Sequence, residues 1–242
     1  MKELTQSEQK VLAARSAVDA LVERGLIFSG MKIGLGTGST ALPAAERIAE
    51  LLAEGVLSNI KAVATSFQTE NACADWNIPV YSFKERCIGG CLNLAIDGAD
   101  EIDPHCNLIK GGGAALLREK IVAYNAEQFV IVADSSKAVP DMGTRFALPV
   151  EIIAEAYIPV RRRLEAMGAS VVLREGVRKC GPVITDSGNQ IVDCLWSAPV
   201  DPAEMEDAIN ALTGVVETGF FTKNKPAAFI AKADGSVEVR GL

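Results

Sequence analysis

From Gln6 to Ala133, short apolar runs alternate with segments of helical period. Residues 6–24 place Val11, Ala14, Val18, Leu21 and Val22 on one side of a helix, and 42–54, 70–75 and 113–124 read as further helices. Between them, 31–35, 60–65, 78–81, 92–96 and 129–133 are apolar almost throughout. A strand with one wet face would alternate; a strand covered on both faces need not. With connections this short, the pattern predicts an α/β fold: a mostly parallel sheet with helices on both faces.

The rhythm changes after Met142. Strands are predicted at 148–153, 170–173, 191–196 and 214–220, with helices at 159–167 and 202–212. Asp201 is placed to cap the second helix, with Pro202 in its first turn. The order β-α-β-β-α-β is the ferredoxin-like split pattern of a smaller α+β domain. A last hairpin, 227–231 and 237–239 around Asp234-Gly235, is expected to return to the first domain.

Composition removes several classes of function. A net charge of −7 lacks the basic field of a nucleic-acid footprint. No apolar run reaches membrane-spanning length and no secretory core opens the chain, so the expectation is a cytoplasmic protein without membrane partners. The six cysteines form no CxxC pair. Cys87 and Cys91 have a loose ligand spacing, but His105 is the only histidine and no second pair follows, so free thiols are expected rather than zinc or disulfides.

The chemistry gathers at the ends of predicted strands, where open α/β sheets hold ligands. Gly34–Thr40 (GLGTGST) joins a strand to a helix; Thr37, Gly38, Ser39 and Thr40 offer hydroxyls and helix-start N–H groups to a phosphate. It lacks the lysine of a Walker loop and the third glycine of a dinucleotide fingerprint. Lys110-Gly111-Gly112-Gly113 is a second such element, either a ligand cradle or a hinge. Glu119 follows on a helix, one turn from Ala115 and from Ala123. Arg118 and Lys120 point elsewhere, as surface or interface groups. Asp97, Asp100, Glu101 and Asp103 crowd four acids after one strand, which suits solvent, a magnesium ion or proton transfer. Lys137 ends another strand exit, Lys10 could reach an anion from the first helix, and His105 reads as a loop residue. A carboxylate base beside a lysine suits enolisation, in which a proton leaves a carbon next to a carbonyl and donors hold the oxyanion.

GLGTGSTA at 34–41, AIDGADEID at 95–103, NLIKGGGAALLREKIVA at 107–123 and VIVADSSK at 130–137 resemble the signature blocks of the ribose-5-phosphate isomerase A family. FALPVEII at 146–153, TDSGN at 185–189 and DPAEMEDAINALTGVVETGFF at 201–221 extend the resemblance over nearly the whole chain. It implies a Rossmann-like catalytic domain, 1–142 with 222–242, and a ferredoxin-like lid domain, 143–221. It implies interconversion of ribose 5-phosphate and ribulose 5-phosphate without cofactor or metal, in a homodimer or homotetramer. Glu119 matches the family's general base. Asp97 and Asp100 of the block Asp97-Gly98-Ala99-Asp100 match residues that open the sugar ring. Lys110 to Gly113 match the enediolate-stabilising group, and Thr37 to Thr40 the residues around the substrate. Lys137 and, more loosely, Lys10 match lysines that reach the substrate. The rivals are a deaminase of amino sugar phosphates, for which a histidine would be expected to assist ring opening, and a sugar-phosphate sensor, which would need a nucleic-acid-binding region.

Overall fold

The computed structural model describes residues 3–242. The chain forms two compact units: one runs through Gly98 and adds Ile121–Lys137 and Asn224–Leu242, the other comprises Ala99–Lys120 and Ala138–Lys223. In chain order the elements are α1 (Gln6–Glu23), β1 (Lys32–Leu35), α2 (Gly38–Ala53), β2 (Lys61–Ala64), α3 (Phe67–Asp75), β3 (Leu92–Asp97), β4 (Glu101–Ile102), β5 (Leu108–Ile109), α4 (Leu116–Tyr124) and β6 (Ala126–Asp134). There follow β7 (Leu148–Ile152), α5 (Tyr157–Ala166), β8 (Ala169–Leu173), β9 (Gln190–Trp196), α6 (Pro202–Asn210), β10 (Val215–Thr218), β11 (Phe220–Phe221), β12 (Ala227–Ala231) and β13 (Val237–Arg240).

The first unit is built on a six-stranded sheet in the order β13-β12-β6-β3-β1-β2. Every neighbouring pair is parallel except β12–β13, the hairpin that returns from the end of the chain. Thr5 and Glu8 close a reciprocal capping box at the start of α1. Ala13, Ala17, Val18 and Leu21 of α1 share one core with Ala44, Ala45 and Ile48 of α2. The same core takes Ile33, Leu35, Leu94, Ile96, Val130, Val132 and Phe229 from the sheet. Side chains alternate along a strand, so Gly34 faces the other way. A Cβ there would run into Val122 of α4 and lie 3.2 Å from the Ala95 Cβ. Helices therefore cover both faces, as the apolar strands predict.

Several boundaries differ from the sequence pattern, each for a local reason. Gly38-Ser39-Thr40 form the first turn of α2, polar residues that carry no apolar period. The strand expected at 78–81 reduces to one bridge at Val80, where Pro79 has no N–H to extend the ladder. Ala62 of β2 nonetheless donates to the Pro79 carbonyl and accepts from Tyr81 N–H. At the opposite edge, Lys232 and Arg240 hold the Glu238 carboxyl of β13 below the usual carboxylate range. Gly113 and Ala114 stay in a turn, with Ala114 at φ 58°, and α4 starts only at Leu116.

The second unit carries the four-stranded antiparallel sheet β10-β7-β9-β8 with α5 and α6, the split pattern read from the sequence. Val150, Ile152, Val160, Leu164, Val192 and Ile209 fill its core. Asp201 caps α6 by accepting from Ala203 and Glu204 N–H groups, 2.9 and 3.0 Å. A three-stranded sheet, β11-β5-β4, was not legible, because strands of two residues leave no period. The strand expected at 214–220 breaks at Gly219, which donates to the Pro149 carbonyl and accepts from Lys110 N–H. All six cysteines are free; burial pushes the thiols of Cys73 and Cys194 up to about 11 and about 12. No helix among the described residues is long and apolar enough to cross a membrane.

The Gly34–Val122 approach yields a stability prediction. Gly34→Ala should destabilise the protein by about 1–3 kcal/mol, the usual cost of overpacking. Combining it with Val122→Ala should restore stability relative to the sum of the two single losses. Urea denaturation of the four proteins in the cycle checks this; additive losses would contradict the contact.

Candidate active site

Strands β1, β3 and β6 are parallel neighbours, so their carboxyl ends share one edge of the first unit. Gly36 to Thr40 leave β1, Asp97 ends β3, and the single turn Ser135–Lys137 follows β6. Asp97 is 3% exposed. Its Oδ1 accepts the Thr37 N–H at 3.1 Å and the Gly98 N–H at 2.7 Å. A Cβ on Gly36 would fall on the Asp97 carboxylate and 2.6 Å from its Cα, so only glycine fits. The Thr37 hydroxyl is bonded to Thr65 and Ser66 at 2.6 and 2.7 Å, and Thr69 Oγ1 donates to the Gly36 carbonyl at 2.8 Å. This hydroxyl cluster fixes the turn. Gly38 takes φ 88° and donates to Gln68. Ser39 is exposed and accepts from Lys10 Nζ at 3.1 Å. Lys10 thus joins the start of α2, where first-turn N–H groups and an ammonium together favour an anion. Lys137 is partly buried, next to the buried Asp134, which accepts from Ser136 and from Gln6.

Ala99 and Asp100 open the second unit. Lys110 and Glu119 are both buried there, with Lys110 Nζ 3.3 Å from Glu119 Oε2. The Lys110 ammonium also lies 5.6 Å from the centre of the Phe221 ring. Backbone pairing of Lys110 N–H with the Gly219 carbonyl at 2.9 Å fixes where that side chain starts. Gly111 has φ 108°, and a Cβ on it would meet Leu116 at 2.8 Å. Gly112 and Gly113 are exposed. The Gly112 N–H donates to Asp100 Oδ2 at 2.8 Å, and a Cβ on Gly112 would lie 2.8 Å from Asp100 Oδ1. The second unit therefore brings together a shielded carboxylate, a shielded ammonium and exposed glycine backbone.

The four crowded acids divide by environment. Asp103 closes its own loop, accepting from the N–H groups of His105 and Asn107 and from the Asn107 amide. Glu101 is 2% exposed, accepts from Phe146 N–H at 2.9 Å, and burial raises its pKa. Asp97 and Asp100 are left beside the glycine turns. Among the described residues no group of three or more histidine, cysteine or acidic side chains could hold a metal ion. His105 is exposed in the loop.

Residues 61–235 match the model of the family described as ribose 5-phosphate isomerase A (phosphoriboisomerase A). A Treponema denticola protein named ribose-5-phosphate isomerase A is 58% identical over 234 residues, covering 96% of this chain and 98% of its own length. The chain belongs to the ribose 5-phosphate isomerase A family. Its fold agrees: a solved D-ribose-5-phosphate isomerase in complex with phospho-erythronic acid aligns with a TM-score of 0.92 at 36% identity, over 99% of this chain and 100% of that one. Ribose 5-phosphate isomerase A from Methanocaldococcus jannaschii aligns at 0.89 and 38% identity, over 98% and 100%.

One residue of this isomerase A member departs from the sequence reading. Lys120, expected at the surface or an interface, is 4% exposed. Its ammonium donates to Glu206 at 3.1 Å, Glu217 at 2.8 Å, and the Thr218 and Phe220 carbonyls at 2.7 Å each. It also sits 4.7 Å from the Phe221 ring centre. A lysine next to a glutamate in a helix looks like any surface pair until the residues some 90 positions later are folded against it. Arg118 does lie partly exposed, 3.7 Å from Asp186. Lys120→Met should cost about 3–5 kcal/mol, because two carboxylates and two carbonyls lose a buried cation. Chemical denaturation measures it; a loss under about 1 kcal/mol would show the network to be dispensable.

Proposed function

We propose that this chain interconverts D-ribose 5-phosphate and D-ribulose 5-phosphate through an enediolate, with Glu119 as general base and no cofactor. The observation that carries the reading is the buried Glu119 carboxylate, 3.3 Å from the buried Lys110 ammonium, beside open glycine backbone. Asp97 and Asp100 assist opening of the furanose by exchanging protons with the ring oxygen and the anomeric hydroxyl. Glu119 takes the C2 proton of the open aldose, and the electron pair moves into a C1–C2 double bond as the C1 carbonyl oxygen becomes an oxyanion. Lys110 and the N–H groups of the glycine loop hold that charge. The C2 hydroxyl proton passes to the C1 oxyanion, which shifts the charge to O2; protonated Glu119 then returns its proton to C1 as the C2–O⁻ closes to a carbonyl, which leaves a ketose with a hydroxyl on C1. One carboxyl serves both carbons because they are adjacent.

The start of α2 with Lys10, Ser39 and Thr40, and Lys137 on the neighbouring strand exit, supply groups suited to the phosphate. Binding energy from that remote group can hold the reacting carbons against the base. Phospho-erythronic acid, held by the related isomerase structure, supports this reading. It pairs a phosphate with a planar carboxylate, the two-oxygen shape of an enediolate. The homodimer or homotetramer and the lid role of the smaller domain belong to the same proposal.

Glu119→Gln keeps the shape and removes the base. Its kcat should fall roughly 10²–10⁴-fold with KM little changed. Near-normal turnover by the purified variant would overturn the base assignment. Ribose without its phosphate should be a very poor substrate; kcat/KM values for the two sugars within a few-fold of each other would reject phosphate anchoring.

A further inference from the structure

We propose that Arg174, clamped by Asp193, is a positioning residue that holds the Gly112 N–H on Asp100 and aims and polarises the Gly113 N–H toward the reacting end of the sugar. The inference rests on the function proposed above and goes beyond it.

Arg174 follows β8, and its backbone is fixed on both sides. Its N–H donates to the Ile191 carbonyl at 2.9 Å, and its carbonyl accepts from Val183 N–H at 2.8 Å. Asp193 of β9 engages the guanidinium in a two-point fork, Nε to Oδ2 at 2.8 Å and Nη2 to Oδ1. Both side chains are largely buried, at 16% and 24% exposure. The remaining nitrogen, Nη1, donates to the carbonyls of Gly111 at 2.8 Å and Gly112 at 3.2 Å.

Those two carbonyls decide where the loop's donors point. Every peptide bond among the described residues is trans. In a trans peptide the C=O and the following N–H are directed oppositely. The Gly111 carbonyl shares its peptide with the Gly112 N–H, and the Gly112 carbonyl shares its peptide with the Gly113 N–H. Drawing both carbonyls onto one guanidinium therefore turns both N–H groups away from it. The Gly112 N–H is indeed directed away, to Asp100 Oδ2. Three successive glycines have wide conformational freedom, so without a clamp these peptides would be oriented poorly. A cation on the carbonyl oxygen also deepens the amide dipole, which strengthens the N–H on the far side as a donor. Lysine cannot substitute, since a point charge cannot fork onto Asp193 and reach two carbonyls at once.

The test uses Arg174→Met and Arg174→Lys in the full chain, with kcat and KM for ribose 5-phosphate and the inhibition constant of phospho-erythronic acid. We expect kcat to fall about 10- to 100-fold, less than or comparable with deletion of an oxyanion donor, with KM within about threefold. The phospho-erythronic acid should bind more weakly in proportion to the loss in kcat/KM. If Arg174→Met does not fold, Arg174→Lys carries the same expectation, because it retains a cation beside Asp193. A kcat within about twofold of wild type, or a lower kcat with inhibitor binding unchanged, overturns the proposal. Glu119→Gln in the same assay separates the two readings. If it turns over normally, the proposed base fails. If it is inactive while the Arg174 variants are unimpaired, only the role of Arg174 fails.

Discussion

A buried ammonium with four oxygen partners organises the second unit around α4. Taking Lys120 out of water costs several kcal/mol, and the cost is met only if its charge and its protons are answered. Glu206 and Glu217 supply the charge, and the Thr218 and Phe220 carbonyls supply two more acceptors. Glu206 is itself held by the Thr222 N–H at 3.0 Å, and Glu217 by Asn210 at 2.7 Å. These ties reach α6, β10 and β11. Successive residues of a helix are about 100° apart, so a helix locked at Lys120 is locked at Glu119 too. The rotation of the carboxylate proposed as the base is thus set by a neighbour that does no chemistry in the proposed cycle.

Much of the fold could be read from the chain because period and burial agree. The strands of the first sheet are continuous apolar runs, and they are the ones covered on both faces. Asp201 and Pro202 announced α6, since a cap and a preset φ act locally. What escaped were features set by distant partners. The strands β4, β5 and β11 have two residues each and exist only because they pair with one another. The run at 78–81 has the composition of a strand, yet Pro79 limits it to a bridge.

The site was legible in the same uneven way. Glycine runs next to acids and a lysine mark a place where backbone approaches polar groups closely, and Gly36 against Asp97 is such an approach. Crowding of four acids was visible, but their division was not. Asp103 serves its own loop and Glu101 is buried under Phe146 N–H, facts that depend on which way each side chain turns. The burial of Lys120 depends on partners some 90 residues away and leaves no mark in the local sequence. Arg174 gave no signal at all: a lone arginine after a strand has no pattern, and its meaning comes from the two carbonyls it reaches.

The two borders of the six-stranded sheet bear on how the protein behaves when crowded. An open parallel sheet ends in unpaired backbone, which can template the addition of a strand from another molecule. Here Ala62 spends both its outward groups on the segment around Pro79, and the proline brings no donor of its own to continue the ladder. At the far border β13 presents Glu238 between Lys232 and Arg240, and a strand arriving there would have to strip water from three charges. Both borders thus carry features that oppose edge-to-edge addition of a strand from another molecule, a safeguard that a sheet of almost uninterrupted apolar strands needs.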